Sequence, residues 1–158
     1  MQILLPSNLR KSIRQHLVTA GAREIGGILM GEDLGSQCFR VVDYTVDLSR
    51  GTESQFSRDA EHHEQELNDF FQKTNRDFRR FNYLGEWHTH PQFSLKPSLQ
   101  DLQSMMDLVQ NSTDVGFAVL LIARLNWYRR LQCSATFFNN TGLPEKVAIK
   151  NDTAYYFD

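Results

Sequence analysis

Glu86-Trp87-His88-Thr89-His90-Pro91-Gln92-Phe93-Ser94-Leu95-Lys96-Pro97-Ser98-Leu99-Gln100-Asp101 is the stretch on which the reading of this chain turns. His88 and His90 stand one residue apart, so on an extended backbone, where side chains alternate, both imidazoles face the same side. They can then reach one ion. A catalytic zinc takes three protein ligands and keeps a fourth position open, and Asp101 is the nearest third donor after a short loop. Pro91 has no N–H to give to a ladder and stops the strand, while Pro97 stands just ahead of a helix. Leu99, Leu102, Met105, Met106 and Val109 define that helix by their spacing, with Ser98 at its N-cap and Asp101 in its first turn. A plainer reading accounts for the same residues one at a time. Ser98 is then only a cap, Asp101 only favours the positive end of the helix dipole, and each histidine is an ordinary hydrogen-bonded side chain.

Taken together, His88-Thr89-His90-Pro91 and Ser98-Leu99-Gln100-Asp101 resemble the JAMM motif of the JAB/MPN metalloproteases. That motif reads His, Ser or Thr, His, seven residues, Ser, two residues, Asp. Here seven residues, 91–97, lie between His90 and Ser98, and two lie between Ser98 and Asp101. The family also carries a glutamate upstream of a Gly-rich apolar strand, and Glu24 precedes Ile25-Gly26-Gly27-Ile28-Leu29-Met30-Gly31 in that manner. The resemblance covers most of the chain. It implies an α/β fold: one JAB/MPN-type domain over residues 1–158, cytidine-deaminase-like, with a mixed central β-sheet flanked by helices. It further implies Zn2+ held by His88, His90 and Asp101, proton transfer by Glu24 as general base and then acid, and an oxyanion hydrogen bond from Ser98.

The same resemblance supplies a substrate: the peptide or isopeptide bond that follows the C-terminal tail of a ubiquitin-like protein, or of a protein conjugated in the ubiquitin manner. An extended tail is expected to add a strand beside an exposed sheet edge near the site. The run from Gly85 to Pro91 and the long helix before it are similar to JAB deconjugases of antiphage CBASS operons, which take a CD-NTase-type cyclase off its targets. One alternative is a protease that trims the tail of a sulfur-carrier protein. Another is a non-catalytic MPN-type interaction module, although such modules typically lack the ligands present here. Two histidines and a carboxylate also suit the Fe(II) facial triad of an oxygenase, but the order, the spacing and the remote glutamate favour hydrolytic zinc.

Composition narrows the classes. With 158 residues, 41% of them hydrophobic, the chain has room for a core without staples. A formal net charge of -2 and the absence of a basic run argue against a general nucleic-acid partner. Cys38 and Cys133 are isolated thiols, which excludes a zinc ribbon and fits a reducing compartment. Ile3-Leu4-Leu5 is too brief for a signal-peptide core and no window approaches a membrane span, so a cytoplasmic protein with no membrane partner is expected. Oligomeric state is not legible.

In chain order, Ser7 is placed to cap a helix with Leu9, Ile13, Leu17 and Ala20 on one face and Gly21 at its end. Residues 24–30 and 38–48 read as a strand hairpin, in which Gly26 and Gly27 permit close approach of another backbone or a substrate. Residues 49–57 form a polar loop, and residues 58–81 a long amphipathic helix capped by Ser57. His62 and His63 on that helix point about 100 degrees apart and read as a surface or boundary pair, not as ligands. Residues 83–90 return as the motif strand with Trp87 turned to the core, while Glu86 stays outside the candidate site. After the Ser98 helix, residues 115–123 suit a strand buried on both faces; residues 127–131, 134–138 and an edge strand at 147–149 complete the sheet.

Overall fold

A computed structural model describes residues 1–47 and 60–153. The chain runs β1 (Gln2–Pro6), α1 (Ser7–Ala20), β2 (Gly26–Asp33), β3 (Cys38–Tyr44), α2 (Ala60–Lys73), β4 (Phe81–Thr89), α3 (Leu99–Asn111), β5 (Phe117–Leu125), β6 (Leu131–Asn139) and β7 (Glu145–Asp152). The sheet is mixed and flanked by helices, as expected. Its strands follow the order β1-β3-β2-β4-β5-β6-β7 and close into a barrel. Three pairings are parallel, β1 with β3, β1 with β7 and β4 with β5, and the others are antiparallel.

Closure depends on β1, which the sequence reading passed over as a short apolar run. Its Gln2 pairs with both Cys38 and Ala148, so this five-residue strand joins the two ends of the sheet. Residues 147–149 therefore do not lie on an edge. They belong to an eight-residue strand paired on one side with β6 and on the other with β1.

The core follows from alternation along β5, the strand expected to be buried on both faces. Val119, Leu121 and Ala123 face a cluster with Ile3, Leu5, Leu29, Trp87 and the Ile13 and Leu17 of α1. Ala118, Leu120 and Ile122 face Met105 and Val109 of α3. A smaller cluster sets Met30 and Val42 against Phe70 of α2. Two glycines let β4 sit where it does. A Cβ on Gly26 would fall 2.2 Å from the Trp87 carbonyl oxygen, and one on Gly85, whose φ is +154, would fall 1.9 Å from that of Val119. The approach that Gly26 permits is thus backbone to backbone.

Several boundaries differ from expectation for identifiable reasons. Pro6, not Ser7, is the N-cap of α1, and the Ser7 hydroxyl donates to the Asp152 carbonyl instead, pinning the helix start to β7. Gly21 ends the helix as expected, its N–H donating to the Leu17 carbonyl at 3.1 Å. β3 ends at Tyr44 and not at residue 48. The expected loop at 49–57 and the Ser57 cap lie outside the described residues. α2 stops at Lys73, because Thr74 turns its hydroxyl back onto the Phe70 carbonyl and Asn75 and Arg76 adopt positive φ, so Phe78 and Phe81 fall beyond the helix. His63 is buried, not superficial, with Nδ1 2.7 Å from the Thr45 hydroxyl. Residues 131–139 form one strand after a tight turn at 126–130, where two short pieces were expected.

Candidate metal centre

β4 lies between β2 and β5, with His88 opposite Gly26 on one side and Ile122 on the other. Both imidazoles leave the same face of this strand, as alternation requires. Their Nε2 atoms come within 3.0 Å of one another. The chain then turns, and the Ser94 carbonyl sits 2.7 Å from His90 Nδ1. A carbonyl only accepts, so Nδ1 carries the proton and Nε2 of the neutral ring presents its lone pair to the cluster.

Asp101 arrives from the start of α3. Ser98 and Asp101 form a capping box: the Asp101 N–H donates to Ser98 Oγ at 3.1 Å, and the Ser98 N–H donates to Asp101 Oδ2 at 2.6 Å. The box fixes the carboxylate, which lies 3.4 Å from His88 Nε2 through Oδ1 and 3.6 Å from His90 Nε2 through Oδ2. The capping role of Asp101 is thus compatible with a ligand role, since the cap aims its carboxylate at the two imidazoles. One atom from each of His88, His90 and Asp101 lies within 4.8 Å of the others, a group able to hold a metal ion.

Glu24 is buried at the end of the loop that enters β2. What brings it here is Thr89, the residue between the histidines. Thr89 accepts the Ile25 N–H on its hydroxyl at 3.0 Å and donates its own N–H to the Ile25 carbonyl at 2.9 Å. The neighbour of Glu24 is thereby clamped to the strand that carries both imidazoles. The Thr89 side chain points to the Trp87 side and is fully buried, so a polar group at a core-facing position demanded a partner. That demand was the available signal for its role.

The electrostatics agree with the geometry. Burial pushes the Asp101 carboxyl up, but hydrogen bonds to His88 and His90, the His88 charge and the Ser98 N–H hold it well below the usual carboxylate range. Burial pushes His90 down, yet Asp101, the Ser94 carbonyl and the charge of Glu24 together leave it raised. Glu24 thus acts on the cluster through space.

Fold and site together define an α/β domain with a His-His-Asp cluster able to hold a metal ion. The chain belongs to the family of prokaryotic homologs of the JAB domain, which it matches over residues 6–134. It is 36% identical over 84 residues to a CD-NTase/cGAS isopeptidase of Escherichia coli (strain TW11681); the match covers 51% of each chain, so it spans about half the length of that curated relative. The solution structure of protein DSY2949 from Desulfitobacterium hafniense matches with a TM-score of 0.71, over 98% of this chain and 95% of that one. At 19% identity that likeness is one of fold.

Proposed function

We propose that this chain is a zinc-dependent JAMM-type protease that cuts the peptide or isopeptide bond after the C-terminal tail of a ubiquitin-like protein or a protein conjugated in that manner. The observation that carries the reading is the convergence of His88, His90 and Asp101, with a buried Glu24 near enough for its charge to act on His90. The donor set fits the ion. Tetrahedral zinc with bonds of ~2.0–2.1 Å keeps its donors about 3.3 Å apart, and the separations of 3.0, 3.4 and 3.6 Å here bracket that spacing. When bound, zinc acidifies a water and polarises a carbonyl oxygen.

The chain's own residues do the rest. His90 is oriented by the Ser94 carbonyl, which takes the hydrogen bond of Nδ1 and leaves Nε2 to face the ion. Glu24, kept in place through Ile25 and Thr89, takes a proton from the nucleophile and delivers it to the leaving amine. Ser98 Oγ accepts the cap bond with a lone pair, which leaves its hydroxyl proton free to donate to the developing oxyanion. The barrel alters how a tail approaches. β4 has neighbours on both sides at His88, so the tail lies across the face of the sheet and not along an edge. A groove of about 840 Å³ on that face, lined by Ile28, Leu67, Phe71, Tyr83, Glu86 and Leu108, reaches from α2 to α3. Glu86 lies one same-face step, ~7 Å, from His88.

The name of the E. coli relative supports a narrower target, a CD-NTase-type cyclase released from its conjugates in CBASS-like antiphage defence, and a cytoplasmic protein goes with that reading. Among the described residues no helix is long and apolar enough to cross a membrane. The presence of the ligand set weighs against a purely structural MPN-type module. The deciding experiment is elemental analysis of the wild type, Glu24→Ala and His88→Ala, with cleavage of C-terminally extended ubiquitin-like fusions scored alongside. Near-stoichiometric zinc in the first two, little in His88→Ala, and cutting by the wild type alone are expected. Absent zinc, or undiminished cutting by either variant, would sink the reading.

A further inference from the structure

The turn between β5 and β6 combines rigidity with exposure of aromatic side chains. Asn126 organises it: its Oδ1 accepts the N–H groups of Tyr128 and Arg130, at 3.0 and 2.9 Å. Its N–H donates to the Arg130 carbonyl, and its carbonyl accepts from Arg129, both at 2.9 Å. Arg14 of α1 braces the tip from outside, its Nε donating to the Arg129 carbonyl at 2.8 Å. On this fixed loop Trp127 is 95% exposed and Tyr128 80%. A loop held by five hydrogen bonds that displays a tryptophan and a tyrosine in water has the features of a recognition surface, where such rings supply area at low entropic cost.

The tip lies at the same end of the barrel as the metal cluster. β4 and β5 run parallel, and the His90 N–H donates to the Ala123 carbonyl, just short of the turn. Arg124 links turn and cluster, with Nη1 donating to the Phe93 carbonyl at 3.2 Å, and Phe93 sets its ring edge-on to His90 at 6.3 Å. Phe93 and Leu99 at this mouth are themselves 50% and 80% exposed. Apart from the cluster's own Asp101 and Glu24, the charge of the segments around it is one-sided. Residues 91–100 and 123–132 carry Lys96, Arg124, Arg129 and Arg130 and neither Asp nor Glu, in a chain whose formal net charge is -2.

We propose that the Trp127 and Tyr128 tip, with Phe93 and Leu99 beside the cluster, is a docking surface for an acidic protein segment that bears apolar side chains. This segment flanks the scissile bond in the substrate protein, and that assignment rests on the proteolytic reading above. The basic residues attract and orient it, and the rings provide the contact. An anionic membrane would see the same charges, but a peptide site in the middle of the patch favours a protein.

The test uses the isotope-labelled full chain, titrated with a short peptide of Asp, Glu, Leu and Phe, with the same peptide carrying Lys at its acidic positions, and with phosphatidylglycerol vesicles. The chain has two tryptophans, and Trp87 is fully buried with its indole N–H on the Thr45 carbonyl, so the Trp127 indole reports docking and the Trp87 indole reports folding. The acidic peptide is expected to move the Trp127 indole and the backbone of residues 91–100 and 124–131, with affinity falling as salt rises. Arg129→Glu combined with Arg130→Glu, or Trp127→Ala alone, should weaken it about tenfold with the Trp87 signal unmoved. His88→Ala, which removes a ligand and with it cleavage, should bind the peptide as the wild type does. A failed proteolytic reading is thereby separated from a failed docking surface. Equal binding of both peptides, a response to vesicles alone, loss of binding in His88→Ala, or no shift of Trp127 would each overturn the proposal.

Discussion

Thr89 stands between two histidines and faces away from both, and its single hydroxyl ties the ligand strand to the loop that holds Glu24. Thr89→Val keeps the shape and removes the acceptor for the Ile25 N–H. Leaving a buried donor unmet should cost about 1–3 kcal/mol of stability. Because the loop that holds Glu24 keeps only the backbone bond to the Ile25 carbonyl, while His88, His90 and Asp101 are untouched, kcat should fall with zinc content unchanged, which steady-state kinetics and elemental analysis on one preparation will show. Ser98→Ala tests the other proton-handling position. Loss of an oxyanion donor lowers kcat on the order of 10²–10³-fold, and loss of the cap costs ~0.5–2 kcal/mol, so kinetics and thermal melting should respond together. A Ser98→Ala variant that melts early but cuts normally would reduce Ser98 to a cap. At this scale the grouping of His88, His90 and Asp101 was legible because their spacing is local. The Thr89 bond was not, because its partner lies 64 residues away and no periodicity links them.

Among the elements, β4 is the strand on which geometry presses hardest. Its register against β2 shifts where Leu29 faces Gly85 but Met30 faces Tyr83, a bulge at Leu84 that turns both Leu84 and Trp87 toward the barrel interior. Beyond the bulge, Glu86, His88 and His90 share the opposite face. Gly85 permits this by its positive φ and by the absence of a Cβ that would strike the Val119 backbone. Gly85→Ala should therefore cost more than about 4 kcal/mol. Gly116→Ala, where nothing lies within 4 Å of the added methyl, should stay within about 0.5 kcal/mol. Urea titration of the two variants makes the comparison, and similar midpoints would remove the bulge from the account of the site. β5 was legible because nine residues of near-continuous apolar sequence have few other uses. β1 and the pairing of β7 were not, because strands that close a barrel through remote parallel partners have no hairpin turn to announce them.

For the whole molecule, the cluster joins α3 to the sheet, so proton and metal binding should be felt in global stability. In the metal-free protein two groups act with opposite sign. The depressed Asp101 carboxyl contributes stability that is present above its unfolded value, about 3.9, and is lost as pH falls through the lower folded value. The raised His90 contributes stability that is present below its unfolded value, about 6.5, and is lost as pH rises through the higher folded one. These two groups together favour the metal-free fold most between roughly pH 4 and pH 6.5. Zinc asks for the reverse, because it competes with the proton for His90 Nε2. At free zinc a hundredfold above Kd the ion adds about 2.7 kcal/mol, and that increment should shrink in acid as His90 takes its proton. Melting curves of chelated and zinc-loaded protein should therefore lie close together near about pH 5 and separate toward about pH 8. In His88→Ala the two curves should coincide throughout. Parallel, well-separated curves across the whole range would mean that the ion is held by groups other than the histidines of β4.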